Sequence, residues 1–495
     1  LLIVEESAPC VSDFYNNAGE GVVVLESEND VSEIFIVNYA CSIKADIKFL
    51  QAYHHNELRE IKQKLYNWKR EESYGAYLSL NNTISEAINN VEFENYSYAT
   101  FFTDGVPYGV LINQRVPCSY VLRSITVEIF IFNNILYEGN KSHLGSAVVF
   151  SPQPKDLGEQ TRAEVREANK ILTDINFSVK HLIEKQATVK AFDNYVGYYP
   201  FDVLHICSHG GNIDGYYVVQ EFVDRDGKQH VVEYEEIVGF SPDGGKFVDV
   251  TSKKIFKFFN GFVWRSKELE EQDYPQYVYK DMFKAIHEDQ KNITRNKMDY
   301  LVEDSCHIQC YDGIHQGQFH SLASNGFLFI FNNSCTSWEE FALHLIAGGC
   351  RAYIGTLWNI NNEVAVKSAS LFYNHVFKSS ILDAVQVMLN SIDNEKYKDI
   401  YIFCGLHFST INKNSLNSKD NIRDELLISL DRWVRYTMEK ESFELLDSAL
   451  KIIKFLNREL TVYYNNPRVM KALVGSALVI NDLEEELMEI RTGIN

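Results

Sequence analysis

The sequence predicts an α/β protein: a mostly parallel sheet flanked by helices, with an inserted subdomain and a helical C-terminal tail. Three observations predict it. From Tyr96 short apolar runs alternate with helical stretches, for example Ser146-Ala147-Val148-Val149-Phe150 and then Thr161–Leu172. Runs that are apolar on both faces belong to parallel sheets covered on both sides. Two later apolar runs, Phe201–Cys207 and Phe327–Phe331, are split by a stretch over 214–321 that is too long for a loop and reads as an inserted subdomain. From about Asn412 apolar residues recur at three- and four-residue steps (Leu445, Leu446, Leu450, Ile453, Phe455, Leu456), the period of two or three helices.

Each element follows in order. Residues 1–96 form an N-terminal α/β region in which Gly21–Leu25 and Ser32–Val37 read as strands and Asn56–Arg70 and Ile84–Asn90 as helices. Thr83 and Glu86 have the spacing of a capping box for the second helix. The main domain spans 97–410. Its insertion opens with a hairpin, Tyr216–Val223 and His230–Val238, turning through Asp224-Arg225-Asp226-Gly227. A helix over Trp338–Ala347 ends at Gly348-Gly349, which suits a sharp turn into Ala352–Trp358. Residues 411–495 are helical. No internal repeat is visible in the sequence.

The 495 residues suffice for two or three domains, and 45% hydrophobic with 23% charged residues is ordinary for a globular protein. No apolar run approaches the roughly 18 residues that span a bilayer. The opening Leu-Leu-Ile-Val is too short for a signal-peptide core, and the lack of an initiator Met reads as a fragment of a longer chain. A net charge of −21 argues against nonspecific nucleic-acid binding, which draws on Lys and Arg. Nine cysteines, odd in number and mostly far apart, fit free thiols in a reducing cytoplasm better than a disulfide framework.

The chemistry is expected at two strand ends. Phe201-Asp202-Val203-Leu204-His205-Ile206-Cys207-Ser208-His209-Gly210-Gly211 ends in His-Gly, and Phe327-Leu328-Phe329-Ile330-Phe331-Asn332-Asn333-Ser334-Cys335-Thr336-Ser337 ends in Ser-Cys. Open α/β sheets build their sites at the carboxyl edge. A cysteine attacks as its thiolate, and an adjacent imidazole can take the proton, so His209 and Cys335 form a candidate base–nucleophile pair. Gly210 has no Cβ to keep a substrate backbone away, and its N–H with that of Cys335 suits an oxyanion hole. Ser334, Thr336 and Ser337 are small, which leaves the nucleophile uncrowded. His205 reads as a core histidine supporting the site; His205 and His209 as zinc ligands would need a helix, and this stretch reads as a strand. Cys306-His307 with Cys310 could make half of a zinc site, with only His315 and His320 nearby as further ligands. No second ligand pair sits at a convincing distance, so coincidence is favoured.

Taken together the motifs resemble the CHAT family of caspase-like peptidases, in the clan of caspases and separases. The resemblance rests on the His209-Gly210 strand, Ser334-Cys335-Thr336-Ser337, Ala347-Gly348-Gly349-Cys350-Arg351-Ala352, Gly355-Thr356-Leu357-Trp358, and the earlier Asp104-Gly105-Val106-Pro107-Tyr108-Gly109-Val110-Leu111. It covers about 97–213 and 320–400. It implies a caspase-type sheet, a cysteine endopeptidase with His209 as general base and Cys335 as nucleophile, and no metal and no cofactor in catalysis. It further implies a substrate pocket lined by the loop of Trp358, Asn359, Asn362 and Glu363. Asn362 takes the position where the family commonly carries an acid, with Glu363 as the alternative. His209 and Cys335 stand 126 positions apart, where the family has a short connection, and the insertion is expected to gate the groove. The N-terminal region reads as a candidate degenerate caspase-like half without its own His–Cys pair. The resemblance implies a protein substrate, a cytoplasmic role in bacterial defence or programmed cell death, and as partners a regulatory protein, an RNA-guided CRISPR effector or a gasdermin-like target. Neither sequence-specific nucleic-acid binding nor a membrane is expected. The alternatives are an interaction module with a vestigial site, and a metal-dependent hydrolase.

Overall fold

The computed structural model describes residues 21–70, 74–112, 116–140, 143–153, 158–211, 214–242, 248–288, 293–301, 306–316, 322–323, 328–338, 340–394, 396–411, 417–438 and 443–492. Its first strand, β1 (Gly21–Ser27), is buried along nearly its whole length, as its run of valines demands. Ser32–Val37, expected as a strand, instead opens the helix Ser32–Ser42. Periodicity cannot separate the two in so short an apolar run, and β2 (Asp46–Gln51) lies parallel to β1, which requires a crossover. Helices His55–Arg70 and Tyr74–Ile88 lead to β3 (Tyr98–Thr103) and β4 (Cys118–Leu122). Thr83 caps neither helix. It lies inside the second, where its hydroxyl bonds back to the Ser79 carbonyl at 2.9 Å, a common recourse of a mid-helix threonine.

The plan then recurs. After the helix Val127–Asn140 come β5 (Ser146–Ser151), helix Gly158–Asp174, β6 (Ser178–Ile183), helix Val189–Tyr198 and β7 (Val203–Ile206). The insertion intervenes. β8 (Gly210–Gly211) precedes a five-stranded antiparallel sheet of β9 (Asp214–Val223), β10 (Gln229–Pro242), β11 (Val248–Phe259), β12 (Phe262–Val263) and β13 (Ile293–Leu301). Helices Lys267–Glu270 and Gln276–Glu288 belong to it, and Val218, Tyr234, Phe259 and Met282 sit in a core of its own. Its opening hairpin turns as expected: Asp224 accepts from the Asp226 and Lys228 amides, both at 2.9 Å, and Gly227 takes φ +80°. β14 (His307–Gln309) then returns to pair with β8, and β15 (Ile314–Gln316) pairs with the other side of β14.

The main sheet resumes with β16 (Phe329–Asn332), helix Glu340–Ala347, β17 (Ala352–Thr356), helices Asn362–Val376 and Ile381–Asn390, and β18 (Tyr401–Cys404). Its ten strands run in the order β2-β1-β3-β4-β18-β17-β16-β7-β5-β6. β2, β1, β3, β4 and β18 point one way; β17, β16, β7, β5 and β6 point the other, with the antiparallel joint at β17/β18. The order β2-β1-β3-β4 is matched by β6-β5-β7-β16, a topological repeat that the sequence hides. The two blocks therefore present their carboxyl ends at opposite edges of one sheet. Outer strands β2 and β6 are largely exposed or half-buried, with Lys48 and Lys180 on them, as edges that avoid further pairing are.

Three helices follow, Ser418–Met438, Phe443–Leu460 and Pro467–Thr492, and bury the residues of the expected stripe at Leu446, Leu450, Ile453, Phe455 and Leu456. Glu459 ties them to the sheet, accepting from Lys180 Nζ and from Tyr195 Oη, both at 2.7 Å. Among the described residues no helix is long and apolar enough to cross a membrane.

Candidate active site

β7 and β16 are adjacent and parallel, with Phe331 opposite His205 and Asn332 opposite Ile206. Both are buried on both faces, so the chain becomes reachable only past their ends, where the loops carrying His209 and Cys335 emerge side by side. The two residues line one cavity of about 80 Å³, together with Thr161, Glu164, Cys207, Ser208, Asn333, Ile360, Asn362, Ala365 and Val366. Cys335 is half-buried. Burial pushes its thiol above the ordinary value, while backbone hydrogen bonds at Ile360 and at its own residue pull the other way. A thiol held neutral in this way needs a base to become a nucleophile.

Gly210 is required for a reason beyond those read from the sequence. A Cβ there would stand 2.6 Å from the Cβ of Ser334, 3.0 Å from the His307 carbonyl oxygen and 3.2 Å from that of Cys335. The close approach is thus made by the cysteine loop itself, and glycine lets the two loops touch. β14 holds the histidine loop from the other side: the Gln309 amide donates to the His209 carbonyl at 2.9 Å, and Ser208 Oγ donates to the Gln309 carbonyl at 2.6 Å. Because His209 and Gln309 face each other in a hydrogen-bonded pair, Gly210 and Ile308 form the next, non-hydrogen-bonded pair. The Gly210 N–H therefore points away from β14.

The neighbours of Cys335 lock the loop and do not open space around it. Ser334 and Ser337 are buried. Ser337 Oγ donates to the Asn332 carbonyl at 3.0 Å and accepts from the Thr356 amide at 2.9 Å, and Thr356 Oγ1 donates to the Ser334 carbonyl at 2.7 Å. Thr336 takes φ +46°, a strained conformation for a β-branched residue, directly after Cys335.

His205 is fully buried and supports the site from below. Its ring lies parallel to that of Phe331 with centroids 5.5 Å apart, Nδ1 is 3.2 Å from Tyr373 Oη, and Nε2 is 3.0 Å from Glu164 Oε1. The last contact is close but poorly aligned for a hydrogen bond. Glu164, missed by the sequence reading, is the centre of this buried group. Its Oε1 accepts from Asn333 Nδ2 at 2.7 Å, and the Cys207 thiol hydrogen-bonds to its carboxylate. Asn333 in turn accepts from Tyr401 Oη at 2.6 Å. Asn333 could have been suspected from its place two residues before Cys335. Nothing in the helix Gly158–Asp174 singles out Glu164 except its early acidic turns.

Of the loop expected to line a substrate pocket, only part reaches the cavity. Asn362 and Ile360 line it; Trp358, Asn359 and Glu363 do not. Trp358 is buried, with Nε1 donating to the Lys396 carbonyl at 3.2 Å, Asn359 accepts from Thr336 Oγ1 at 3.2 Å, and Glu363 is exposed. In the Cys306 cluster His307 Nδ1 meets the Gly211 carbonyl at 2.7 Å, Cys310 Sγ donates to the Ile308 carbonyl, and His315 Nε2 lies 2.7 Å from Asp193. Among the described residues no group of His, Cys, Asp and Glu converges on a metal position, and His320 lies outside them. No known family model matches the chain, and no curated protein matches it.

Proposed function

We propose that this chain is a cysteine endopeptidase of the caspase-like type, with Cys335 as nucleophile and His209 as general base. The observation that carries it is that two residues 126 positions apart in sequence line one cavity at the carboxyl edge of a parallel block. His209 takes the thiol proton, and the Cys335 sulfur attacks the scissile carbonyl. The oxygen of the tetrahedral intermediate is met by the N–H groups of Gly210 and Cys335, and the imidazolium returns its proton to the leaving amine. Water then hydrolyses the thioester, with His209 acting again as base. The substrate is a cytoplasmic protein, and the CHAT resemblance favours a partner in bacterial defence or cell death. The topological repeat supports a degenerate half of the same plan, but one that runs through β4 to Leu122 and so past the boundary expected at residue 96.

Cys335→Ala and His209→Ala each lower cleavage of a partner protein at least about a thousandfold while the fold is kept. In His209→Ala, alkylation of Cys335 by iodoacetamide keeps rising with pH beyond about 8.5, since burial favours the neutral thiol. Normal cleavage by either variant overturns the site. The second reading, an interaction module, draws on Met470, Val474 and Leu478, exposed at four-residue steps on the helix Pro467–Thr492. It requires that a thiol-reactive peptide electrophile leave Cys335 unmodified.

A further inference from the structure

We propose that the cavity beside Cys335 receives the lysine or arginine side chain of the residue whose carbonyl is cut, and that Glu164 reads its charge. The inference rests on the protease reading above and gives it a substrate class. The cavity has two kinds of wall. Ile360, Ala365 and Val366 are aliphatic, whereas Glu164, Asn333 and Asn362 are polar. Lysine and arginine match that division, with an alkyl stem to bury and a charge to satisfy at its end.

Glu164 is 3% exposed, and among the described residues neither Lys nor Arg pairs with it. Its neighbours are Asn333 Nδ2 at 2.7 Å, the Cys207 thiol and, at 3.0 Å, His205 Nε2. Those partners include no permanent cation, and an incoming basic side chain supplies one to the same carboxylate. An acidic side chain meets a like charge, and an apolar one dries the carboxylate without compensation. The loop after Trp358 cannot supply the charge: Asn362 is neutral, and Glu363 stands outside the cavity. The carboxylate comes instead from the helix Gly158–Asp174, on the far side of the site in sequence. A net charge of −21 adds attraction for basic segments.

The test uses the full chain and peptidyl acyloxymethyl ketones that differ only in the residue at the reactive position: Arg, Lys, Leu or Asp. The readout is the rate of adduct formation at Cys335 by mass spectrometry. Arg and Lys probes are expected to react at least about tenfold faster than Leu or Asp probes, and Glu164→Gln to reduce the Arg-to-Leu ratio about tenfold or more. Asn362→Lys, which puts a cation on the same cavity and touches none of the bonds made by Glu164, reduces that ratio as well and serves if Glu164→Gln does not fold. Faster labelling by Leu or Asp, or an Arg-to-Leu ratio kept in the folded variants, overturns the pocket assignment and leaves the protease reading standing. Absence of any adduct at Cys335 overturns the protease reading and the pocket with it.

Discussion

At one edge of the sheet the ends of β3 and β4 carry Asp104 and Arg123; at the other, the ends of β7 and β16 carry His209 and Cys335. The strand plan behind both edges is the same, and the chemistry is not. At the first edge the Arg123 guanidinium, 3% exposed, lies 2.9 Å from Asp30, 3.4 Å from Asp104 and 3.6 Å from Glu28. Glu26, also buried, accepts from the Asp104 amide at 2.7 Å and from the Tyr108 hydroxyl. One cation there is shared among three carboxylates. The second edge keeps a thiol and an imidazole beside a cavity. A strand order positions loops; what the loops carry decides whether the edge reacts.

The largest test breaks the two edges apart. Arg123→Ala leaves three carboxylates without their cation and should cost about 2–3 kcal/mol of stability, the low end for a buried partner because the carboxylates are partly exposed. Urea unfolding measures it. Cleavage per folded molecule should stay within about twofold, since distant sites act independently. Cys335→Ala should show the reverse, with the unfolding midpoint kept and cleavage lost. If Arg123→Ala abolished cleavage without unfolding, the first edge would be part of the mechanism.

Gly210→Ala should come next. The added Cβ meets Ser334 at 2.6 Å and backbone oxygens of His307 and Cys335, none of which can swing aside as the end of a long side chain does. The two loops must separate. Overpacking of this kind costs about 1–3 kcal/mol, and cleavage should fall about a hundredfold because a misplaced nucleophile loses its geometry. Near-normal cleavage by a stable Gly210→Ala protein would show that contact between the loops is not what aligns the pair.

The connections also differ. β3 reaches β4 within residues 104–117, whereas β7 reaches β16 through the insertion, whose β14 clamps the His209 backbone. The insertion thus has two parts: a return hairpin whose β14 bonds the His209 loop, and a five-stranded sheet with its own core, for which the expected role is to gate access. Removing residues 214–301 while keeping 306–316 should raise cleavage about fivefold or widen the range of substrates, the size of a modest coupling. If cleavage and substrate range both stayed as they are in the intact chain, the gating idea would fail.

The parts of this molecule that were legible in sequence are those written locally. The runs before His209 and Cys335, the Asp224–Gly227 turn and the helical stripe from Leu445 all depend on neighbours within a few residues. What stayed hidden depends on distant packing. Ser32–Val37 is helical because β1 and β2 are parallel, and Thr83 lies mid-helix because Tyr74–Ile88 starts earlier than its cap suggested. Glu164 belongs to the site because β5 sits beside β7, which places the helix that follows β5 against the strand end. The repeat of the two blocks survives in strand order alone.

The smallest test concerns how each edge turns. At the first edge the left-handed position after β3 is Gly105, φ +116°, where glycine is unstrained. At the second, Thr336 takes φ +46° with a branched side chain, strain of about 1–3 kcal/mol. Thr336 Oγ1 donates to Asn359 at 3.2 Å, fixing the loop of Cys335 against the one that follows β17. Thr336→Gly should relieve the strain, but it also loosens the unfolded chain by about 0.4–1 kcal/mol and loses that hydrogen bond. Net stability should therefore change by less than about 1 kcal/mol. Cleavage should still fall several-fold, because a glycine lets the nucleophile wander. If cleavage rose instead, the strain at Thr336 would be an accident of the loop and not a device that aims Cys335.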